Sequence, residues 1–295
     1  MHIPLARAWC AVIGVVLVLS AGADPAAQIT FGRGDVLVSL EIGPVQWRLA
    51  DGTLVRMLAG TEIGTGEGLA FDAAGNLYVT RWCIGPCLGT ANTVEKFTSM
   101  GLPAGRFGSG YECGPHAIVF DRRGTAYIGE AGCGGIILKL EAGALPVPYH
   151  VAQDVQGAFW IDLAPDGCTM FYTSSGPNVK RFNVCLGTQR PDFNVVGLPG
   201  GMTQDLRVLP DGGVLVSSGE VIVRLNASGV VTRTYSIPGE ESLWSGLDLV
   251  GDGTFWAGNY RSSNVYRFDL ATGAVRASFN AGSPPNTVVG VRVKS

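Results

Sequence analysis

The segment Gly68-Leu-Ala-Phe-Asp-Ala-Ala-Gly-Asn-Leu-Tyr-Val-Thr80 contains a short apolar strand, a polar turn closed by glycine, and a second apolar strand. Four further copies of this phrase lie at residues 117–128, 160–172, 205–216 and 246–257. The turn glycines of the five copies are Gly75, Gly124, Gly167, Gly212 and Gly253. They are 41 to 49 residues apart, which leaves room for several strands in each unit. Repeats of this length, built from several short strands, are typical of a β-propeller.

The two ends of the repeated region complement each other. The repeated region begins in the middle of a repeat, because Gly34-Asp-Val-Leu-Val-Ser39 matches the second strand of a repeat. Further strands are predicted at 45–49 and Leu54–Leu58. The missing first strand is found at the far end, in Val288–Val293. One composite blade and five complete ones predict an all-β, six-bladed propeller with four-stranded antiparallel blades over 34–295. Closure of this kind removes open sheet edges, which otherwise template aggregation.

The composition fits a densely packed β-protein. The chain has 43 glycines and 16 prolines for turns, 46% hydrophobic residues and only 15% charged residues. No stretch keeps the periodicity of an amphipathic helix, so we expect no substantial helix in the mature protein. The net charge is −3, and no basic cluster alternates with aromatic residues. Nucleic acid and anionic membrane surfaces are therefore not expected as main partners.

Residues 1–23 have the pattern of a secretory signal peptide. Arg7 supplies a positive charge, residues 9–19 form an apolar run, and Ala21-Gly-Ala23 provides small residues for cleavage. A membrane anchor is the alternative, but the run is shorter than the roughly 20 residues that span a bilayer. Residues 24–33 then lead into the propeller. The mature protein is predicted to be a secreted or periplasmic monomer without a membrane span.

The cysteines agree with export. Cys10 lies in the predicted signal peptide, which leaves Cys83, Cys87, Cys113, Cys133, Cys168 and Cys185. An even number of cysteines in an exported protein suggests disulfides, although six of them allow fifteen connectivities. A zinc or redox site is the alternative, which the CxxxC spacing of the first pair supports poorly.

One disulfide is predicted from strand register. If Gly176-Pro177 is a two-residue hairpin loop, Cys168 lies directly opposite Cys185 at a non-hydrogen-bonded position, where Cα atoms are about 4.5 Å apart. A disulfide spans such a distance. Cys83–Cys87 is then expected to staple a small loop, and Cys113–Cys133 to link two parts of one blade.

The residue eight positions before each turn glycine opens the first strand of its blade. In a propeller these strands line the central channel, so their first residues are expected near its mouth, where the second strands end. The residues are Glu67, His116, Phe159, Gln204 and Ser245, with Val289 as the counterpart in the composite blade.

Polar side chains that converge on a concave mouth with aromatic walls form the expected binding site. The residues predicted to bind a small molecule or a protein there are Glu67, Trp82, Trp160, Gln204, Trp244 and Tyr260. Packing between blades is the alternative role for the tryptophans.

His116 and Glu130 lie at the two ends of one predicted hairpin. Two antiparallel strands joined by a tight turn bring their far ends together, so we expect this imidazole and this carboxylate to be neighbours. A neighbouring carboxylate raises the pKa of a histidine and fixes its tautomer, which suits general acid–base catalysis. A hydrogen bond that only ties the corner of the blade is the alternative.

Two motifs resemble known propeller families. The stretch from Pro115-His116 to Gly129-Glu130 is similar to a blade motif of the streptogramin B lyases, in which thirteen residues separate a histidine from a glutamate. The phrase from Gly68 to Thr80, followed by Val94-Glu-Lys-Phe97, resembles the NHL repeat and the related SMP-30/gluconolactonase propellers. The lyases also repeat Trp-Phe-Thr-Glu, which is absent here.

These resemblances imply three functional hypotheses. The NHL likeness implies an exported scaffold that binds a ligand or a protein. The lyase likeness implies ring opening of a lactone near a magnesium ion, with His116 as the base and Glu130 holding metal or substrate. The SMP-30 likeness implies a divalent ion, Ca²⁺ or Mg²⁺, for which Glu67, Asp205 and Asn259 are the candidate ligands. A metal-dependent lyase or lactonase is thus the first alternative to a binding scaffold, and a structural component of an extracellular assembly is the second.

Overall fold

The computed structural model describes residues 29–62, 64–83 and 92–295. These residues form 24 β-strands in six four-stranded antiparallel sheets, and they contain no α-helix. The predicted all-β, six-bladed propeller is confirmed. The blades are numbered here from the composite one, and their strands are given from the channel outward.

Blade 1 contains β24 (Val288–Val293), β1 (Val36–Leu40), β2 (Val45–Arg48) and β3 (Leu54–Leu58). Blade 2 contains β4 (Thr65–Phe71), β5 (Leu77–Trp82), β6 (Thr93–Phe97) and β7 (Pro103–Arg106). Blade 3 contains β8 (Pro115–Phe120), β9 (Ala126–Glu130), β10 (Ile136–Leu140) and β11 (Val147–His150).

Blade 4 contains β12 (Ile161–Leu163), β13 (Thr169–Tyr172), β14 (Lys180–Asn183) and β15 (Thr188–Arg190). Blade 5 contains β16 (Thr203–Val208), β17 (Val214–Ser218), β18 (Val221–Leu225) and β19 (Val231–Tyr235). Blade 6 contains β20 (Trp244–Leu249), β21 (Thr254–Asn259), β22 (Asn264–Asp269) and β23 (Val275–Asn280). The first strands of neighbouring blades pack against one another around the channel.

The ring closes where β24 pairs with β1. The ladder runs antiparallel from Val36 opposite Val293 to Leu40 opposite Val288. It continues beyond the strand, because Gly34 N–H donates to the Lys294 carbonyl at 2.7 Å. The two ends of the chain therefore share one sheet, as the repeat pattern predicted.

Aspartate side chains shape the turn between the first two strands of each complete blade. In blade 2, Asp72 Oδ1 accepts hydrogen bonds from the backbone N–H groups of Ala74 and Asn76, each 2.9 Å long. Gly75 has φ +80°, a left-handed conformation that glycine adopts without steric cost. An aspartate that caps its own turn explains why Asp and Gly recur together in the repeat.

Apolar side chains fill the space between adjacent blades. Trp47 of blade 1 is fully buried in one cluster with Leu77 and Phe97 of blade 2. Phe31, from the predicted lead-in, packs on Trp47 with ring centroids 4.6 Å apart. Burial of each such side chain stabilises the fold by about 1.5–3 kcal/mol.

Buried charges bind the inner strands to one another. Asp205 in β16 and Asp248 in β20 each accept a hydrogen bond from the next inner strand, from Leu247 N–H at 2.8 Å and Val293 N–H at 2.7 Å. Arg207 lies between the two carboxylates, 2.6 Å from Asp205 and 2.7 Å from Asp248. This ion cluster joins blades 5, 6 and 1 inside the channel.

Two disulfides are present among the described residues, Cys113–Cys133 and Cys168–Cys185, with Cα–Cα distances of 5.3 and 5.2 Å. Both pairings were predicted and are confirmed. Cys87 lies outside the described residues, so the Cys83–Cys87 staple remains a prediction.

The register predicted around the second disulfide is wrong by one residue. Tyr172 pairs with Lys180, so the connection spans residues 173–179 and is not the two-residue loop Gly176-Pro177. Val184 N–H donates to the Cys168 carbonyl at 2.9 Å, which places Val184 opposite Cys168. The disulfide therefore joins diagonal neighbours, and it forms because their Cα atoms are still within its normal span.

The predicted signal peptide, residues 1–23, lies outside the described residues. Within the described part of the chain, no helix has the length and apolar character needed to cross a bilayer. The two disulfides are compatible with export, because such bonds persist in oxidising compartments.

Deleting residues 288–295 should destabilise the whole ring. The truncated chain loses the β1–β24 ladder and the Val293 N–H bond to Asp248, and it leaves unpaired sheet edges that favour aggregation. We expect a large fall in the melting temperature and soluble aggregates on size-exclusion chromatography. Deletion of Ser295 alone is the control and should change neither. A truncated protein that melts like the full chain would contradict closure by β24.

Candidate functional site

A cavity of about 180 Å³ lies at one mouth of the channel. Each blade contributes one residue at or beside the start of its inner strand: Glu67, His116, Phe159, Gln204, Ser245 and Val289. These are the six residues predicted eight positions before the turn glycines and at their counterpart. The repeat therefore brings the equivalent residue of each blade into a single space, called here the mouth cavity.

The remaining walls come from strand ends and loops: Glu41, Trp82, Trp160, Leu243 and Tyr260. Trp82 ends β5, and Tyr260 directly follows β21, as expected for second strands that end at the mouth. Five of the six predicted ligand-binding residues thus line the cavity.

Trp244 is the predicted ligand-binding residue that lies elsewhere. Its side chain is fully buried, and its indole N–H donates to the Glu220 carbonyl at 3.0 Å. The ring packs edge-on against Phe268, with centroids 5.6 Å apart, in the apolar cluster between blades 5 and 6. Trp244 therefore has the packing role that was the alternative for the tryptophans.

His116 is the centre of the aromatic wall. Its imidazole stacks on Phe159 with centroids 3.8 Å apart and an interplanar angle of 28°. Trp160 and Trp82 approach the same imidazole edge-on, at 5.3 and 5.6 Å. Only 2% of the His116 surface is exposed, because these three rings cover the imidazole and exclude water from it.

Glu67 is the carboxylate nearest to His116. Glu67 Oε2 lies 3.2 Å from His116 Nε2, across the boundary between blades 2 and 3. Within the described structure, Glu67 Oε2 and His116 Nδ1 are buried and have no aligned hydrogen-bond partner. A buried polar atom without a partner costs about 1–3 kcal/mol, so this pair has unused capacity to bind a ligand.

Hydroxyl groups of adjacent blades hold this pair in place. Ser39 Oγ donates to the Glu67 carbonyl at 2.7 Å, and Thr80 Oγ1 donates to the His116 carbonyl at 2.9 Å. Gly68 permits the close approach, because a Cβ at that position would lie 2.7 Å from the His116 carbonyl oxygen. The backbone behind both side chains is therefore rigid.

Burial sets the ionisation of both groups. It raises the pKa of Glu67 to about 7, with a smaller rise from Glu41 and opposing effects of Thr65 and Arg81. Burial lowers the pKa of His116 to about 3. The predicted rise in the histidine pKa is therefore wrong, because desolvation of the imidazolium outweighs the opposing contact with the Phe159 backbone.

Glu130 is not brought together with His116 in the mouth cavity. It lies opposite Pro115, and a bulge between Pro115 and Ala117 changes the direction of His116 relative to that pair. Burial raises the pKa of Glu130 to about 7, opposed by a hydrogen bond from the Cys113 backbone. The carboxylate that faces His116 comes from the neighbouring blade instead.

The three predicted metal ligands do not converge. Glu67 lines the mouth cavity, whereas Asp205 is bound to Arg207 and to backbone N–H groups deeper in the channel. Asn259 donates to Glu240 Oε1 at 2.9 Å and accepts from Leu243 N–H, so it orders a loop. Their oxygens do not fit a shared Ca²⁺ or Mg²⁺. Among the described residues, no group of three or more His, Cys, Asp or Glu side chains is arranged to hold a metal.

Comparison with known proteins confirms the fold class. No family model matches the sequence, and no curated protein is significantly similar to it. A chain of the nidogen/laminin complex has a TM-score of 0.68 at 14% identity, covering 87% of this chain and 97% of that one. A Bacteroides caccae protein of unknown function gives 0.68 at 14% identity, covering 88% and 98%.

The virginiamycin B lyase of Staphylococcus aureus is also similar, with a TM-score of 0.57 at 13% identity over 76% of this chain and 73% of that one. Identities this low show a shared β-propeller fold. Membership of the NHL or SMP-30 families remains a prediction.

Glu67→Gln tests the ionisation of the cavity. The folded pKa of about 7 is above the ordinary value of 4.5, so the stability that Glu67 contributes is complete below the ordinary value and is lost as the pH rises through about 7. The glutamine side chain imitates the neutral acid at every pH. We expect the melting temperature of the variant, relative to the parent, to rise as the pH increases from the ordinary value of 4.5 to about 7, and to level off at higher pH.

The exposed Glu141→Gln substitution is the control and should show no such trend. A difference for Glu67→Gln that does not vary with pH would contradict the raised pKa.

Proposed function

We propose that this protein binds a small molecule in the mouth cavity. The observation that carries the proposal is the convergence of one side chain from each of six blades on a single aromatic-walled space. Within that space, the buried polar atoms of Glu67 and His116 lack aligned partners among the described residues. A ligand with a complementary polar group would supply those partners, while its apolar part contacts the rings.

The cavity volume limits the size of the ligand. An engineered apolar cavity of about 150 Å³ is large enough for benzene. The mouth cavity, at about 180 Å³, therefore suits a compact molecule rather than a long chain or a disaccharide. A larger ligand would project through the mouth beside Glu41 and Tyr260, both of which are partly exposed.

The cellular setting belongs to the same proposal. The signal-like segment 1–23, the two observed disulfides and the propeller fold together support an exported monomer with an NHL- or SMP-30-like repeat. A protein partner at the same mouth would be a further form of binding. The depth and small volume of the cavity favour a small molecule as its occupant.

Val289→Phe should abolish ligand binding. Val289 belongs to β24 and lines the cavity, so a phenyl group at this position fills the space that a ligand needs. A fragment screen read by tryptophan fluorescence should find ligands that bind the parent, because Trp82 and Trp160 form the walls. Those ligands should not bind the variant, whose unchanged melting temperature would show that the ring is intact. Ligands that bind both proteins equally would contradict the cavity as the site.

A second candidate is an acid–base enzyme, favoured by the 3.2 Å approach of His116 to Glu67 inside the cavity. His116 is uncharged at neutral pH, because burial lowers its pKa to about 3, and an uncharged imidazole can accept a proton. A lyase or lactonase activity would then pair His116 with Glu67 in place of Glu130.

His116→Gln tests this second candidate. In a screen of lactones with and without Mg²⁺ or Ca²⁺, any turnover should fall by about 10²–10⁴-fold in the variant. The pH profile of the parent should change near the Glu67 pKa of about 7, whereas the low pKa of His116 places its titration far below neutral pH. Glu130→Gln is the control and should keep full activity. Turnover that survives His116→Gln would exclude the pair as the catalytic centre.

A further inference from the structure

This inference rests on the proposed binding function and specifies the ligand. We propose that the mouth cavity binds a compact organic cation, such as a small tertiary or quaternary ammonium compound. Three observations support a cationic ligand: the charge of the lining, its aromatic walls and the position of its carboxylates.

The lining contains two carboxylic acids and one uncharged imidazole. Glu41 and Glu67 are its two carboxylic acids, and no lysine or arginine of the described residues lines the cavity. Arg81 lies behind Glu67, but it is paired with the fully buried Glu95 at 2.8 Å. His116 is uncharged at neutral pH, so the charge on the lining comes from the two acids. A ligand anion would be repelled there, and a cation attracted.

Aromatic rings enclose the same space. Trp82, Trp160, Phe159 and Tyr260 all line it. The face of an aromatic ring carries negative electrostatic potential and attracts cations within about 6 Å, most strongly when the site excludes water. A ring wall is also apolar enough to contact the methyl groups of a substituted ammonium ion, whereas bare Na⁺ or K⁺ would lose its hydration there without replacement ligands.

The carboxylates are held where such a cation would lie. Tyr260 Oη donates to Glu41 Oε2 at 2.7 Å, which fixes both the phenol ring and the acid at the entrance. Burial, together with this bond, raises the pKa of Tyr260 to about 12, so the phenol stays a donor at neutral pH. Glu67 lies deeper and has a buried oxygen without an aligned partner in the described structure. A cation between the two acids gives Glu67 the counter-ion that the cavity itself lacks.

Cation binding should be coupled to release of a proton. The charged and titratable groups that act on Glu67 are Glu41, Arg81, the adjacent His116 and Tyr260. A bound cation favours the ionised form of Glu67, so its affinity should rise with pH until Glu67 is fully ionised above about pH 7. A neutral ligand that accepts a hydrogen bond from protonated Glu67 predicts the opposite trend.

The test compares choline with its neutral isostere, in which a quaternary carbon replaces the nitrogen. Titration calorimetry with tetramethylammonium, choline and the isostere should show binding of both cations, and at least about tenfold weaker binding of the isostere. Choline affinity should increase from about pH 5 to about pH 8, with proton release detected in buffers of different ionisation enthalpy.

Two isosteric substitutions locate the effect. Glu67→Gln should weaken choline by at least about tenfold and remove the pH dependence. Glu130→Gln is the matched control, because Glu130 is also a buried acid with a pKa raised to about 7 but lies outside the cavity, and it should change neither quantity. If Glu67→Gln does not fold, the pH dependence and proton release of the parent decide the question.

The outcomes separate this inference from the proposed function. If choline and its isostere bind equally well and Val289→Phe blocks both, the inference that the ligand is a cation is wrong. The proposal that the cavity binds a small molecule then still stands. Choline binding that is insensitive to both Glu67→Gln and Val289→Phe overturns the inference, because the cation is then bound elsewhere. Affinity that falls or stays constant as the pH rises also overturns it. If neither compound binds and the fragment screen finds no cavity ligand, the proposed function fails as well.

Discussion

The pairing of β24 with β1 is the constraint on which the rest of the molecule depends. It joins the last strand of the chain to the first, and so turns six similar sheets into a closed ring. Only in a closed ring do the starts of all six inner strands face the same point. The mouth cavity is therefore a consequence of closure, because the equivalent positions of the six blades converge on one space, which strand ends and loops then complete.

Close contacts between neighbouring inner strands make that lining rigid. Hydroxyl groups on the second strands hold the carbonyls of Glu67 and His116, and Gly68 lets the strands approach each other closely. Blade 1 thereby positions the backbone at Glu67 of blade 2, and blade 2 positions the backbone at His116 of blade 3. Because the scaffold fixes the backbone, the side chains at the six positions can differ without disturbing the fold, and the chemical character of the site is free to vary.

Buried carboxylates have different surroundings at two levels of the channel. In its interior, the carboxylates of Asp205 and Asp248 surround Arg207 and bond the backbone of the next blade, so their charge is used for structure. At the mouth, Glu67 is equally buried, but no lysine or arginine in the described part of the chain lines its cavity. Desolvation raises its pKa to about 7, because the opposing effects of Thr65 and Arg81 are smaller than the cost of burying the charge. The proposed ligand would supply at the mouth the partner that Arg207 supplies in the interior.

The repeat in the sequence determined the number of blades, the closing strand and the six positions at the mouth, because these depend only on distance along the chain from each turn glycine. Other features were decided by contacts between distant segments. A bulge beside Pro115 and the proximity of a neighbouring blade made Glu67, and not Glu130, the partner of His116. A longer loop moved the register at Cys168, and packing between blades buried Trp244. Strand spacing specifies where a residue lies along its blade, whereas its neighbours, its burial and hence its pKa depend on how the blades meet.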